Sequence, residues 1–207
     1  CASVICSDKT GTLTENKMTV RKIYTNGGFV EVNGSPLSSE GEFISLNRKI
    51  DPENNDSLKT TLKIGVLCNN ASMTRIKQNK SFGKIASLIP KAEKWELSGD
   101  PTEAALLVVG AKGGCTQELL NESYMRIDEV PFDSDRKCMS VICENDKGEV
   151  FVFTKGAADV IIEKCSKIYT SKGVVGLDPA GVKRVLKAND DMANEALRVL
   201  GVAFKKL

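Results

Sequence analysis

The sequence predicts an α+β fold: a mostly antiparallel, twisted sheet flanked by helices. Three observations carry that prediction. Asn26-Gly27-Gly28 joins two β-rich runs, residues 19–24 and 29–32, and Asn145-Asp146-Lys147-Gly148 joins residues 138–144 to 149–155. Asn and Gly supply the positive φ that tight hairpin turns require. Apolar residues at helical spacing occur between these hairpins and do not alternate one-for-one with single strands, so a doubly wound parallel sheet is disfavoured.

Taken in order, residues 3–6 form a short apolar run feeding a loop at Asp8. Asn33-Gly34-Ser35-Pro36 is a turn, and residues 51–57 are polar without an apolar period, which reads as a surface loop. Leu58, Leu62, Gly65, Val66 and Asn69 share a helical stripe, giving a helix over residues 57–70. Residues 94–97 read as a strand. A helix then starts at Asp100-Pro101-Thr102-Glu103, where Asp100 caps, Pro101 suits the first turn and Glu103 occupies the capping-box position. It stops at Gly113-Gly114, and a short helix follows from Gln117. Residues 125–132, 138–144 and 149–155 are strands. Residues 157–165 and 179–197 are helices, and residues 198–204 are apolar enough for a final strand.

Composition fits an ordinary globular unit with a core. The 207 residues are 41% hydrophobic and 27% charged, and 29 Lys+Arg stand against 27 Asp+Glu. A net charge of +2 gives no broad footprint for nucleic acid. The longest apolar run, residues 104–111, is too short to span a bilayer, and no secretion signal opens the chain. Seven cysteines without a CxxC pair read as reduced, largely buried thiols, Cys68, Cys138, Cys143 and Cys165 among them. With no histidine, a His-based triad or zinc site is effectively excluded, so bases must be carboxylates or lysines.

The chemistry concentrates in a few stretches. In Cys6-Ser7-Asp8-Lys9-Thr10-Gly11-Thr12-Leu13-Thr14, a carboxylate at a strand end can attack phosphorus. Lys9 and turn amides can offset the added charge, and the hydroxyls can grip phosphate oxygens. At Thr154-Lys155-Gly156-Ala157 a strand gives way to a helix. With Asp100-Pro101-Thr102-Glu103 and Phe132-Asp133-Ser134-Asp135-Arg136-Lys137, this strand end offers a ring, a carboxylate and cations that suit a nucleotide. No Walker-type or kinase-type Gly-rich loop is present.

The Asp8 string resembles the phosphorylation motif of P-type ATPases, cation pumps that pass through an aspartyl-phosphate. The other stretches follow in family order over nearly the whole chain, including Ala196-Leu197-Arg198-Val199-Leu200. The resemblance implies ATP and Mg2+ as cofactors, with Asp8 as the phosphorylated nucleophile, assisted by Lys9 and Thr10. Asp8 and Thr10 would form part of the Mg2+ site.

It further implies a nucleotide site. Phe132 stacks on adenine, and Glu103 accepts from the adenine amino group. Lys137 and Lys155 provide charge for the ring edge and phosphates, Arg136 belongs to the same nucleotide-binding set, Gly156 permits close backbone approach, and Arg198 forks onto ribose and phosphates. Each residue also has an ordinary reading: Phe132 in the core, Glu103 in a capping box, the lysines solvated, Arg198 in an ion pair.

Residues 1–17 then belong to the strand and aspartate loop of the phosphorylation domain. Residues 18–207 belong to the nucleotide-binding domain, with its last strand expected to be missing. Partners would be nucleotide and the phosphorylation, actuator and transmembrane domains of the same pump, the transported cation binding elsewhere. That makes the chain a cytoplasmic portion of an integral membrane protein. Phe-Asp-Ser-Asp-Arg-Lys-x-Met-Ser-Val is most similar to calcium-transporting pumps, and the absence of histidine separates the chain from heavy-metal pumps. The alternative is a stand-alone nucleotide-binding module or a dehalogenase-like phosphotransferase using Asp8.

Overall fold

A computed structural model describes residues 17–35, 38–75 and 95–207. The strand expected at residues 3–6 and the Asp8 loop, with Lys9 and Thr10, lie outside the described residues.

Among the described residues every strand pairing is antiparallel, as the hairpin signals require, but the strands divide among four sheets where one was expected. The first is a meander of β1 (Lys22–Thr25), β2 (Gly28–Val32), β3 (Phe43–Ser45) and β4 (Arg48–Ile50). Asn26 and Gly27, at φ 52° and 77°, form the expected β1–β2 turn. The β3–β4 hairpin has no such signal: its turn places Leu46 and Asn47 at φ 50° and 59°, and its strands are only three residues long. The polar stretch ahead of the first helix is more ordered than a loop. Asp51 caps a 3-10 turn at Pro52–Asn54, and the Asn55 side chain accepts from the Leu58 N–H to start α1 (Asp56–Leu67).

The central sheet runs β12 (Gly201–Lys206), β9 (Val150–Gly156), β8 (Cys138–Asn145), β7 (Tyr124–Asp133). Met139, Val141 and Cys143 of β8 and Phe153 of β9 alternate onto one face, where Ile64, Leu67 and Cys68 of α1 bury them. Against α1 lies α2 (Pro101–Lys112), at a distance only glycine allows: a Cβ at Gly110 would stand 2.3 Å from Val66 Cγ2. α2 closes a further core with Val66, Ala71 and Met73. Two small sheets pair β5 (Ser72–Arg75) with β6 (Trp95–Ser98) and β10 (Lys167–Thr170) with β11 (Gly173–Gly176).

Three further helices are α3 (Gln117–Ser123), α4 (Ala158–Glu163) and α5 (Pro179–Asn194). α5 ends three residues before the predicted limit, since Ala196 turns to φ 59°, and β12 correspondingly starts at Gly201. Among the described residues no helix is long and apolar enough to cross a membrane. Cys68, Cys115, Cys138 and Cys143 are buried free thiols, as expected, whereas Cys165 is half-buried.

Candidate nucleotide-binding site

The site grows from the end of β9. Lys155 pairs across the sheet with Met139, so it projects from the face that α1 covers, beyond the last apolar layer. Its ammonium lies 2.7 Å from Glu103 Oε1, and the two side chains are only 7% and 16% exposed. Glu103 arrives from the first turn of α2, which Asp100 fixes by accepting from the Thr102 and Glu103 N–H groups at 2.8 and 3.3 Å.

Partial burial opposes the Asp100 charge. The Thr102 hydroxyl, those two amides and the positive charge of Arg198 outweigh it and hold the carboxyl below its ordinary value. The reciprocal half of the expected capping box does not form. Glu103 Oε2 instead accepts from the Asn70 N–H at 3.1 Å, because a buried ammonium and an orphan amide offer more than a solvated cap.

Phe132 reaches the same face through a bulge. Val130 lies opposite Ser140 on the outer face of the sheet, yet Asp133 lies opposite Cys138, so β7 spends three residues against two on β8. The extra residue shifts the alternation and turns Phe132 to the side of Met139 and Lys155. Phe132 is 64% exposed, which removes the core reading.

Arg136 and Lys137 follow in a turn. Asp133 Oδ1 accepts from the Asp135 and Arg136 amides, both at 2.9 Å, and Lys137 takes φ 51°. Lys137 is exposed. Arg136 departs from its expected place: its Nη2 donates to Ser140 Oγ at 3.4 Å and approaches Cys138 Sγ at 3.8 Å. Those residues lie on the outer face, so the guanidinium is directed away from Lys155. Ser140 in turn shares a hydrogen bond with Thr154 at 2.9 Å, fixing that side of the sheet.

Gly156 serves the chain itself. A Cβ there would lie 2.4 Å from both Cys138 Cβ and Lys137 O, so glycine lets β9 close against the Lys137 turn. Arg198 is exposed and acts electrostatically on Asp100, at the outer end of α2.

Beneath the site, Cys68 Sγ contacts Met139 O at 3.7 Å. Burial pushes its thiol up to about 11 against the opposing pull of Lys155. Among the described residues no group of three or more His, Cys, Asp or Glu side chains could hold a metal. The metal ligands expected from the sequence, Asp8 and Thr10, lie outside the described residues.

The arrangement is an exposed ring on the same sheet face as a shielded carboxylate–ammonium pair, with β8 between them. It offers a flat apolar partner and both hydrogen-bond polarities within one small area. Asn70 is the contributor that sequence reasoning missed; its polar partners come from distant elements, and no local motif marks it.

Comparison with known families agrees with this architecture. Residues 57–207 match the family described as "P-type ATPase, cytoplasmic domain N", and the chain belongs to the P-type ATPases. It is 36% identical over 210 residues to a "Calcium-transporting ATPase" of Bacillus subtilis (strain 168), covering 100% of this chain and 22% of that protein. It is 34% identical over 210 residues to "Cation-transporting ATPase pma1" of Synechocystis sp., covering 99% and 21%. A third relative, "Calcium-transporting ATPase 1" of Bacillus cereus, is 36% identical over 204 residues, covering 99% and 19%. The chain thus spans about one fifth of the length of the curated relatives it matches.

Proposed function

We propose that this chain binds ATP at the open end of β9 and delivers the γ-phosphate to Asp8 within a cation-transporting pump. The observation that carries the reading is the turn of exposed Phe132 onto the face where Glu103 and Lys155 meet. Adenine stacks on the ring, Glu103 accepts from its amino group, and Lys155, Lys137 and Arg198 address the ring edge, ribose and phosphates.

Bound Mg2+ would offset the charge between the carboxylate and the triphosphate. In this chain Asp8 acts as nucleophile and Mg2+ ligand with Thr10, and Lys9 offsets charge. The other ligands belong to sequence outside the chain, so the 207 residues alone bind ATP and ADP similarly and do not turn over. The names of two relatives favour calcium as the transported ion, and the segment then lies on the cytoplasmic side of the membrane.

Among the described residues, β1 and β12, each at the edge of its sheet, help line a largely apolar groove of about 1240 Å3.

Titration calorimetry with ATP and ADP, and acid-quenched incubation with labelled ATP and Mg2+, test the reading together. Comparable, weak binding of both nucleotides without acid-stable label is expected. Absence of ATP binding overturns the site, and a hydroxylamine-labile label lost in Asp8→Asn overturns the dependence on outside residues.

A further inference from the structure

Edge strand β7 carries an ion pair, Arg126 with Glu129, that makes no contact with Lys155 or Phe132 in the site described above. Arg126 Nη1 donates to Asn69 O at 3.1 Å, and Nη2 donates to Asn70 Oδ1 at 2.7 Å. Nη2 also pairs with Glu129 Oε2. Glu129 Oε1 accepts from Asn70 Nδ2 at 2.9 Å. Arg126, Asn70 and Glu129 therefore close a ring in which both ends of the Asn70 amide are held.

The backbone N–H of that same Asn70 donates to Glu103 Oε2. Its neighbour Asn69, only 4% exposed, has its side-chain amide bound to Gly65 O and Glu103 O, at 3.0 and 2.9 Å, and its Oδ1 bound to the Ala71 N–H. Glu103 is thus gripped at its carbonyl by one asparagine and at its carboxylate by the next.

Residues three apart on a regular strand point to opposite faces. Arg126 and Glu129 share a face only because β7 slips one residue between Arg126, opposite Cys143, and Asp128, opposite Ile142. The second slip repeats the offset for Phe132. Arg126, Glu129 and Phe132 therefore follow a three-residue period along one face, and the strand that presents the ring also sets the clamp on Glu103.

We propose that Arg126 and Glu129 are positioning residues for the nucleotide site, fixing the Glu103 carboxylate against Lys155 through Asn69 and Asn70. This rests on the ATP-site reading above. A solvated ion pair contributes little to stability, and these side chains are 37% and 28% exposed. Positioning and fold should therefore separate.

The test uses the 207-residue chain with Arg126→Gln, Glu129→Gln and Arg126→Lys, and Glu103→Gln as reference. ATP affinity is read by calorimetry, and the Asn70 backbone amide proton is read by nuclear magnetic resonance. Arg126→Gln is expected to weaken ATP binding roughly tenfold and to move the Asn70 amide toward its position in Glu103→Gln. Melting should shift by no more than about 3 °C. Glu129→Gln should follow in the same direction, and Arg126→Lys should stay weakened, since an ammonium cannot fork.

Parental affinity and an unmoved Asn70 amide in both Gln variants overturn the inference. If instead Glu103→Gln binds ATP as the parent does, the nucleotide role of Glu103 fails. The Asn70 shift in Arg126→Gln still reports whether Arg126 holds that carboxylate.

Discussion

Glu103 and Lys155 are 52 residues apart in sequence and 2.7 Å apart in space. One comes from the first turn of a helix and the other from the end of a strand, and each is shielded from water. Removing either partner leaves a charge with poor solvation. Lys155→Gln is expected to lower stability by about 2–3 kcal/mol, measured by urea unfolding. The double variant Glu103→Gln/Lys155→Gln should lose less than the sum of the singles, with a coupling of about 1–2 kcal/mol. Strict additivity would show that the two groups do not depend on each other.

Phe132 stands in the opposite situation. With 64% of its surface exposed, it contributes little to the folded state. Phe132→Ala should weaken ATP binding by about 1–3 kcal/mol while changing stability by less than about 0.5 kcal/mol. Calorimetry and urea unfolding on the same preparation separate the two effects. A large loss of stability would return the ring to the core.

Arg136 provides the internal control. Its guanidinium lies against Ser140 and Cys138, across the sheet from Lys155. Arg136→Met should leave ATP affinity within about twofold of the parent. A loss in Arg136→Met equal to that in Phe132→Ala would place the guanidinium on the nucleotide after all.

The contrast between Phe132 and Arg136 shows how far the sequence is legible. Strands β1, β2, β6 to β9 and β12, the hairpins at Asn26-Gly27 and Asn145–Gly148, and the capped start of α2 follow from local chemistry, so they read directly from the string, whereas β5, β10 and β11 do not. Which face a residue takes on β7 does not, because the two slips depend on pairing with β8 and leave no mark of their own in composition. Counting by twos from Val130 puts Phe132 on the wrong side. The same limit hides β3 and β4, too short to show a period, and the Asn69–Asn70 clamp, whose partners come from three separate elements. The reciprocal capping box at Glu103 was a sound local expectation that a tertiary partner, Lys155, displaced.

Cys68 makes stability sensitive to alkali. Burial raises its thiol from an ordinary 9.0 to about 11. The folded chain therefore keeps its proton where the unfolded chain has lost it. The resulting stabilisation is complete below pH 9 and is lost as pH rises through about 11. Unfolding midpoints measured across that window should fall more steeply for the parent than for Cys68→Ala. Equal slopes would mean that the thiol does not titrate with unfolding.

Asp100 works in the other direction. Partial burial opposes its charge, but the Thr102 hydroxyl, the Thr102 and Glu103 amides and Arg198 lower its carboxyl overall. Its stabilisation is present above the unfolded value and disappears as pH falls through the folded one. Asp100→Ala should cost about 1 kcal/mol at neutral pH. The gap to the parent should close in strongly acidic buffer, as followed by circular dichroism. A gap that persists in acid would assign the effect to backbone propensity.

The slips in β7 have a consequence for the chain's behaviour among its own copies. β7 is the last strand of its sheet, and Met125, Ile127 and Val130 are exposed along it. A flat strand of that composition invites a second molecule to add on and extend the ladder. Two interruptions of its hydrogen-bond rhythm, a proline at position 131 and the charges of Arg126, Asp128, Glu129 and Asp133 deny an incoming strand a continuous row of partners. The irregularity that turns the aromatic ring also breaks up the edge, so a straightened β7 would present a more continuous ladder to a second molecule.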